Sequence, residues 1–197
     1  MKNYQLAEKY SNYRIVLASQ SPRRKDLLAG LNIPFAVEVR EVDESFPAEM
    51  DVEEVPVYLA KLKALAFQGE IEDNTLIITA DTVVIVDNEV LGKPNDYIHA
   101  FEMLRKLSGR KHVVVTGVCL TTAQKQAIFS SATNVYFKNL SDNEIDYYLN
   151  NYQPYDKAGS YGVQEWIGYI AIEKIEGSYF NVMGLPIQRL YEELFKF

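Results

Sequence analysis

The 197-residue sequence has one cysteine and two histidines. A single cysteine, Cys119, excludes an internal disulfide and any multi-cysteine zinc site. It sits in the apolar run Val113 to Leu120, where a buried, inert thiol is expected rather than a nucleophile. His99 and His112 have no metal-ligand spacing. No apolar stretch approaches the roughly 20 residues of a membrane span. The segment Met1 to Tyr13 is polar and lacks the apolar centre of a signal peptide. A cytoplasmic location is therefore expected. Positive charge is also short: 20 Lys and Arg stand against 27 Asp and Glu, for a net charge of -7. Such a chain does not draw nucleic acid by its overall field. Any anionic partner must be met by a local cluster of cations, which favours a small phosphorylated ligand. Walker A, Gly-x-Gly-x-x-Gly and Gly-x-Ser-x-Gly patterns are absent, as are internal repeats and low-complexity tracts.

What remains is an ordinary globular composition, 48% hydrophobic and 24% charged. The length suits one domain, or two small lobes sharing a core. Strands are expected at Arg14 to Ala18, Phe35 to Arg40, Thr75 to Ala80, Val83 to Val86, Val113 to Thr121, Ala127 to Phe137 and Ala171 to Ile175. Helices are expected at Pro22 to Leu31, Val55 to Phe67, Ile98 to Leu107, Ser141 to Asn150 and Leu185 to Phe197. Leu59, Leu62 and Ala66 are expected on the inner face of the second helix. Asp87-Asn88 reads as a hairpin turn, and Ser141-Asp142-Asn143-Glu144 as a capping box. The order predicts an α/β fold: a mixed, strongly twisted sheet flanked by helices, in two lobes around a central cleft.

Polar clusters fall at the ends of these strands. In Ala18-Ser19-Gln20-Ser21-Pro22-Arg23-Arg24, Pro22 suits the first helical position and Ser21 is the natural N-cap. The remaining N–H groups and the helix dipole favour an anion. Arg23 and Arg24 add planar forks that match phosphate. The other reading is a capped surface helix with solvated arginines. Asp81, set among apolar residues, is either a turn residue bonding its own backbone or a carboxylate acting as metal ligand or general base. Glu44, in the acidic run Glu41-Val42-Asp43-Glu44, is either solvated or a second oxygen ligand for Mg²⁺. Lys93 lies between Gly92 and Pro94, which can aim a cation from a loop. Lys61 and Lys63 are two apart on one helix, so at most one reaches a shared site. Gly117 marks a bulge or a close backbone approach. Gly159 and Gly162, within Asp156 to Gln164, let a backbone approach a ligand, or simply form a surface loop. Gln164 has an amide that both donates and accepts, as reading a base edge requires.

In this order the segments resemble the Maf family of nucleoside triphosphate pyrophosphatases. The matching stretches are Ala18 to Arg24, Glu44, Leu59 to Ala64, Ala80 to Val84, Gly92-Lys93-Pro94 and Leu107 to Arg110. They continue with Thr116-Gly117-Val118, Asp156 to Gln164, Gly177-Ser178-Tyr179 and Gly184-Leu185-Pro186. The resemblance implies one domain over residues 14–197, with residues 1–13 as an N-terminal extension. It implies hydrolysis of a nucleoside triphosphate to the monophosphate and pyrophosphate with a divalent metal, Mg or Mn. Gln164 looks like the branch acting on dTTP and UTP. The likeness makes Asp81 the catalytic proton acceptor and Arg23, Thr82 and Gln164 positions of substrate selection. Ser19, Arg24, Glu44, Lys63 and Lys93 fall on polar positions of the pocket, with Glu44 and Asp81 as metal ligands. The implied partner is a small-molecule nucleoside triphosphate, neither nucleic acid nor membrane, with a homodimer as a candidate assembly. House-cleaning of the nucleotide pool is a role such a reaction allows. Two departures stand out: Gln20 and Glu165 each occupy a place where the family commonly has glycine. A non-catalytic nucleotide-binding regulator is the main rival, and retention of both Asp81 and Glu44 argues against it. A nucleic-acid-binding module conflicts with a pI near 5.0.

Overall fold

The computed structural model describes residues 4–197. Its elements, in chain order, begin with α1 (Tyr4–Lys9), β1 (Arg14–Leu17), α2 (Pro22–Ala29) and β2 (Ala36–Val37). Next come α3 (Val55–Leu65), β3 (Thr75–Val86), β4 (Glu89–Leu91), α4 (Tyr97–Leu107), β5 (Lys111–Thr121) and β6 (Gln126–Phe137). The chain closes with α5 (Asp142–Tyr152), α6 (Trp166–Ala171), β7 (Ile172–Glu176), α7 (Tyr179–Val182) and α8 (Ile187–Lys196). The strands form one seven-stranded sheet in the order β2-β1-β3-β5-β6-β7, with β4 paired to β3. The sheet is mixed: β1 runs parallel to β2 and β3, whereas β3–β4 and β6–β7 are antiparallel.

The chain divides into two compact units. The first comprises Met1–Asp81, Thr116–Ser131 and Gly184–Phe197; the second comprises Thr82–Val115 and Ala132–Met183. Each has its own apolar core. In the first, Ile15, Leu17, Leu28, Leu76, Ile78, Val118, Leu120, Leu190 and Leu194 pack together. In the second, Val84, Val86, Leu104, Val114, Val135, Ile145, Tyr148 and Ile167 do so. β3 is buried along nearly all its length and contributes Leu76 and Ile78 to the first core and Val84 and Val86 to the second. Such continuous apolar runs are what a strand covered on both faces requires.

The local signals explain most of the elements. Ser21 caps α2 by accepting from the Arg24 N–H, with Pro22 at the helix start. Asp87 and Asn88 both take positive φ, 51° and 60°, as a two-residue hairpin turn requires. Ser141 and Glu144 form the reciprocal capping box of α5. Four expectations are corrected. The strand over Phe35 to Arg40 shrinks to Ala36–Val37, an exposed pair at the sheet edge whose bonds come from β1 alone. The two runs flanking Asp81 are one unbroken strand, because the aspartate is paired where it stands. The buried side of α3 carries Val55, Pro56, Leu59, Ala60 and Ala64, while Leu62 and Ala66 are only half-buried. The strand around Gly117 is not interrupted.

Leu6 and Tyr10, ahead of residue 14, belong to the first unit's core. Leu6 is fully buried, and the Tyr10 hydroxyl donates to the Leu194 carbonyl at 2.7 Å. Burial and the neighbouring Tyr13 push that phenol up to about 12. No helix among the described residues is long and apolar enough to cross a membrane.

Candidate active site

In the first unit, β1 ends at Leu17, paired with Ile78 of β3. The Ala18 N–H still donates to Ile78, at 2.9 Å, and then the two chains part. Open parallel sheets place ligands at this carboxyl edge. Ser19 lies there, buried, with Asp81 following Ala80 on the neighbouring strand. The Ser19 hydroxyl accepts from the Ser21 N–H at 3.2 Å, so the turn into α2 is closed by two serine caps in sequence.

Asp81 meets Lys63 of α3 through an ion pair of 2.5 Å, and Glu44 reaches the same ammonium at 3.0 Å. Two contacts bring that lysine to its place. The Thr79 hydroxyl donates to the Ala60 carbonyl at 2.7 Å. Thr79 and Asp81 share a strand face, and Ala60 and Lys63 lie one helical turn apart. Fixing the first pair therefore aligns the second. Gly117 of β5 supplies the other contact: a Cβ there would stand 2.4 Å from the Pro56 carbonyl oxygen. The glycine is the close backbone approach that the sequence suggested. Lys63 reaches the carboxylates, whereas Lys61 is exposed.

Arg24 bonds main-chain carbonyls. Its Nε donates to the Gly184 carbonyl and its Nη1 to the Ala80 carbonyl, each at 2.8 Å, with Ser19 Oγ at 3.4 Å. It ties the α2 start to β3 and to the turn before α8. Loss of hydration pulls its pKa below the ordinary arginine value. The charge of Asp81 opposes that pull, Arg23 reinforces it, and Glu44 opposes it. Arg23 is half-buried beside this group. The cluster thus joins Ser19, Arg23, Arg24, Glu44, Lys63 and Asp81.

Among the described residues, no group of three or more His, Cys, Asp or Glu side chains is arranged to hold a metal ion. The donor set here is two carboxylates sharing one cation, Lys63. That set fits a hard divalent ion, which commonly takes one or two carboxylates and completes its shell with phosphate oxygens and water.

Thr82, Lys93 and Gln164 fall in the second unit. Thr82 is half-buried in β3, and Lys93 is exposed after β4. Gln164 sits in a tight turn closed by the Glu165 N–H to the Gly162 carbonyl at 3.0 Å. Its side-chain oxygen is buried with no hydrogen-bond partner in the protein. The nearby glycines serve packing: a Cβ on Gly159 would meet Val84 at 2.9 Å, and one on Gly162 would meet the Glu165 carboxyl carbon at 2.7 Å. Sequence reasoning assigned no role to Tyr148, Lys157 or Glu165. Tyr148 Oη donates to Glu165 and accepts from the Gly162 N–H at 3.0 Å. Lys157 pairs with Glu165 at 3.1 Å and with Asp156 at 2.7 Å. The signals in the sequence were Glu165 standing where the family commonly has glycine, and Lys157 at the other end of the same stretch. Cys119 is fully buried, and burial raises its thiol pKa.

The chain is an α/β protein with a mixed seven-stranded sheet, and beyond the end of β1 two carboxylates, a lysine and two arginines lie close together. The chain belongs to the Maf family: the family described as Maf-like protein matches residues 14–197. It is 57% identical over 192 residues to a dTTP/UTP pyrophosphatase of Porphyromonas gingivalis, covering 96% of each chain. It is 54% identical to a dTTP/UTP pyrophosphatase of Phocaeicola vulgatus, over 97% of this chain and 100% of the relative. Among solved structures, the Staphylococcus aureus Ham1 protein matches 91% of this chain and 99% of its own length, with TM-score 0.50 and 16% identity. That likeness concerns the fold alone.

Proposed function

We propose that this chain is a nucleoside triphosphate pyrophosphatase acting on dTTP and UTP. Water attacks the α-phosphorus, the bond from that phosphorus to the bridging oxygen breaks, and the products are the monophosphate, pyrophosphate and a proton. The observation that carries this reading is the pair of carboxylates, Glu44 and Asp81, converging on Lys63, with Asp81 midway along β3 just past the end of its pairing with β1. The names of relatives more than half identical over nearly the whole chain support the substrate class.

Asp81 takes the proton from the attacking water. It is buried, so its charge acts in a low dielectric rather than in bulk water. Glu44 and Asp81 would hold a divalent cation, Mg or Mn, which supplies charge neutralisation to the phosphates and to the developing negative charge. Lys63, Arg23 and Lys93 offset the remaining phosphate charge, as a triphosphate meeting an acidic chain requires. Arg24 holds the main chain of the site through the Ala80 and Gly184 carbonyls. Ser19 orients the turn before α2, and Thr82 stands with the selecting residues.

Gln164 reads the base. Uracil and thymine each present one N–H between two carbonyls. The buried, unpartnered Gln164 oxygen suits that N–H, and its amide nitrogen can donate to a carbonyl. A panel of dTTP, UTP, CTP, ATP and GTP with Mg²⁺ or Mn²⁺, scored for pyrophosphate, tests both levels. Release from dTTP and UTP with the highest kcat/KM is expected. No pyrophosphate from any of the five would end the proposal, and a purine preference would remove the role of Gln164 alone.

A further inference from the structure

The turn that carries Gln164 is tied at both ends by a single hydroxyl. Gly162 and Glu165 bound the turn, and the Glu165 N–H to Gly162 carbonyl bond closes it at 3.0 Å. Tyr148, fully buried in α5, spans the same two residues: its oxygen accepts from the Gly162 N–H and donates to the Glu165 carboxylate. The missing Cβ of Gly162 makes room for that carboxylate, since any Cβ there would stand 2.9 Å from a Glu165 oxygen. Lys157, only 10% exposed at its side chain, neutralises the carboxylate from the other end of the segment. A half-buried carboxylate with a hydroxyl and an ammonium partner is satisfied and held in place. Between these anchors, the Gln164 oxygen is left buried without a protein partner. An acceptor in that state costs free energy on its own. It keeps its place only if its backbone is prevented from turning it outward.

We propose that Glu165, with Tyr148 and Lys157, forms a positioning clamp that holds Gln164 for base selection. The inference rests on the reading of Gln164 as the base reader. The clamp touches no reacting atom, so its loss acts on discrimination among bases before it acts on the chemical step. Release of the turn lets the Gln164 amide rotate to solvent, and uracil loses its fixed partner. A site built to hydrogen-bond a substrate group discriminates only while that partner is held.

The test measures kcat and KM for UTP, dTTP and CTP with the wild type, Tyr148→Phe, Glu165→Ala and Glu165→Gln, together with Tm. Tyr148→Phe and Glu165→Ala are expected to lower the UTP-over-CTP ratio of kcat/KM about tenfold, as one held hydrogen bond commands. The loss appears mainly in KM for UTP and dTTP, with kcat for CTP little changed. Glu165→Gln, whose amide oxygen still accepts from Tyr148, is expected to keep most of the ratio. Should Glu165→Ala not fold, Glu165→Gln and Tyr148→Phe decide. Folded variants that retain the wild-type ratio, or lose UTP and CTP turnover equally through kcat, overturn the clamp. A wild type that does not prefer UTP over CTP refutes the Gln164 reading, and the clamp falls with it.

Discussion

The two units use polar residues in opposite ways. In the first, charges gather at strand ends and stay within reach of solvent: Glu44 is half exposed, and it shares Lys63 with the buried Asp81. In the second, one polar group is drawn inside and held by several partners: Tyr148, Glu165 and Lys157 bond one another beside the unpartnered Gln164 oxygen. The first arrangement can exchange its internal cation for a ligand's charges. The second cannot do so cheaply, because a buried ion pair broken on one side leaves an uncompensated charge. It is suited to holding shape. The proposed function assigns charge chemistry to the first and base reading to the second.

The sharpest way to break the comparison is Asp81→Asn. The change is nearly isosteric but removes a base and a charge. A loss of about 10²–10⁴-fold in kcat is expected, with the far-ultraviolet spectrum unchanged. Near-normal turnover by the folded variant would falsify the assignment of chemistry to the first unit.

A second test concerns acid stability, which the second unit should govern. His112 is almost fully buried and donates to or accepts from the Tyr161 hydroxyl at 2.7 Å. Burial holds its pKa down at about 3. The unfolded chain, with an ordinary value near 6.5, then binds more protons between those two values. Stability is full above about 6.5 and falls as pH drops toward 3, by about 1.4 kcal/mol per pH unit. His112→Phe removes this group, so its Tm should fall less between pH 6.5 and 4 than that of the wild type. Parallel slopes would show that acid lability lies elsewhere.

Gly117→Ala tests whether packing in the first unit sets the charge cluster. The new methyl group meets the Pro56 carbonyl, so α3 must shift. A cost of about 1–3 kcal/mol is expected from overpacking, accompanied by reduced kcat because Lys63 moves with its helix. A stable variant of full activity would disconnect α3 placement from the site.

Gln164→Glu keeps an acceptor, loses the donor and adds a negative charge. About a 10–100-fold drop in kcat/KM on both UTP and dTTP is expected from one mismatched buried hydrogen bond. Thymine's methyl group should be tolerated rather than required, so the two substrates should fall together. A drop confined to one of them would place the selection elsewhere.

The smallest effect is expected from Arg23→Ala. Triphosphate affinity should weaken by about tenfold or less, the scale of one charge-assisted contact. Added salt should weaken wild-type binding in the same direction. Equal affinities by calorimetry would remove Arg23 from the phosphate site. Arg24→Ala offers the contrast within the same turn: it should lower Tm, because the Ala80 and Gly184 carbonyls each lose a donor.

Much of this protein could be read without coordinates. Ser21 and Pro22 start α2, Asp87-Asn88 turns the β3–β4 hairpin, and Ser141 with Glu144 caps α5. Each involves groups no more than a few residues apart, where sequence spacing and spatial distance are nearly the same thing. The mixed sheet followed from long apolar runs alternating with amphipathic ones. Spacing left Lys61 and Lys63 open and only the family resemblance favoured Lys63; the Thr79–Ala60 contact and the Gly117 approach help set the face of α3 that turns Lys63 to the carboxylates. Tertiary structure alone sent Arg24 to a carbonyl 160 positions away, put Leu6 in the core, and joined Tyr148 to Glu165. Local stereochemistry acts over one helical turn or one hairpin. The partners of a buried charge or hydroxyl are set by which segments the packed core brings together, and no spacing rule along the chain carries that information.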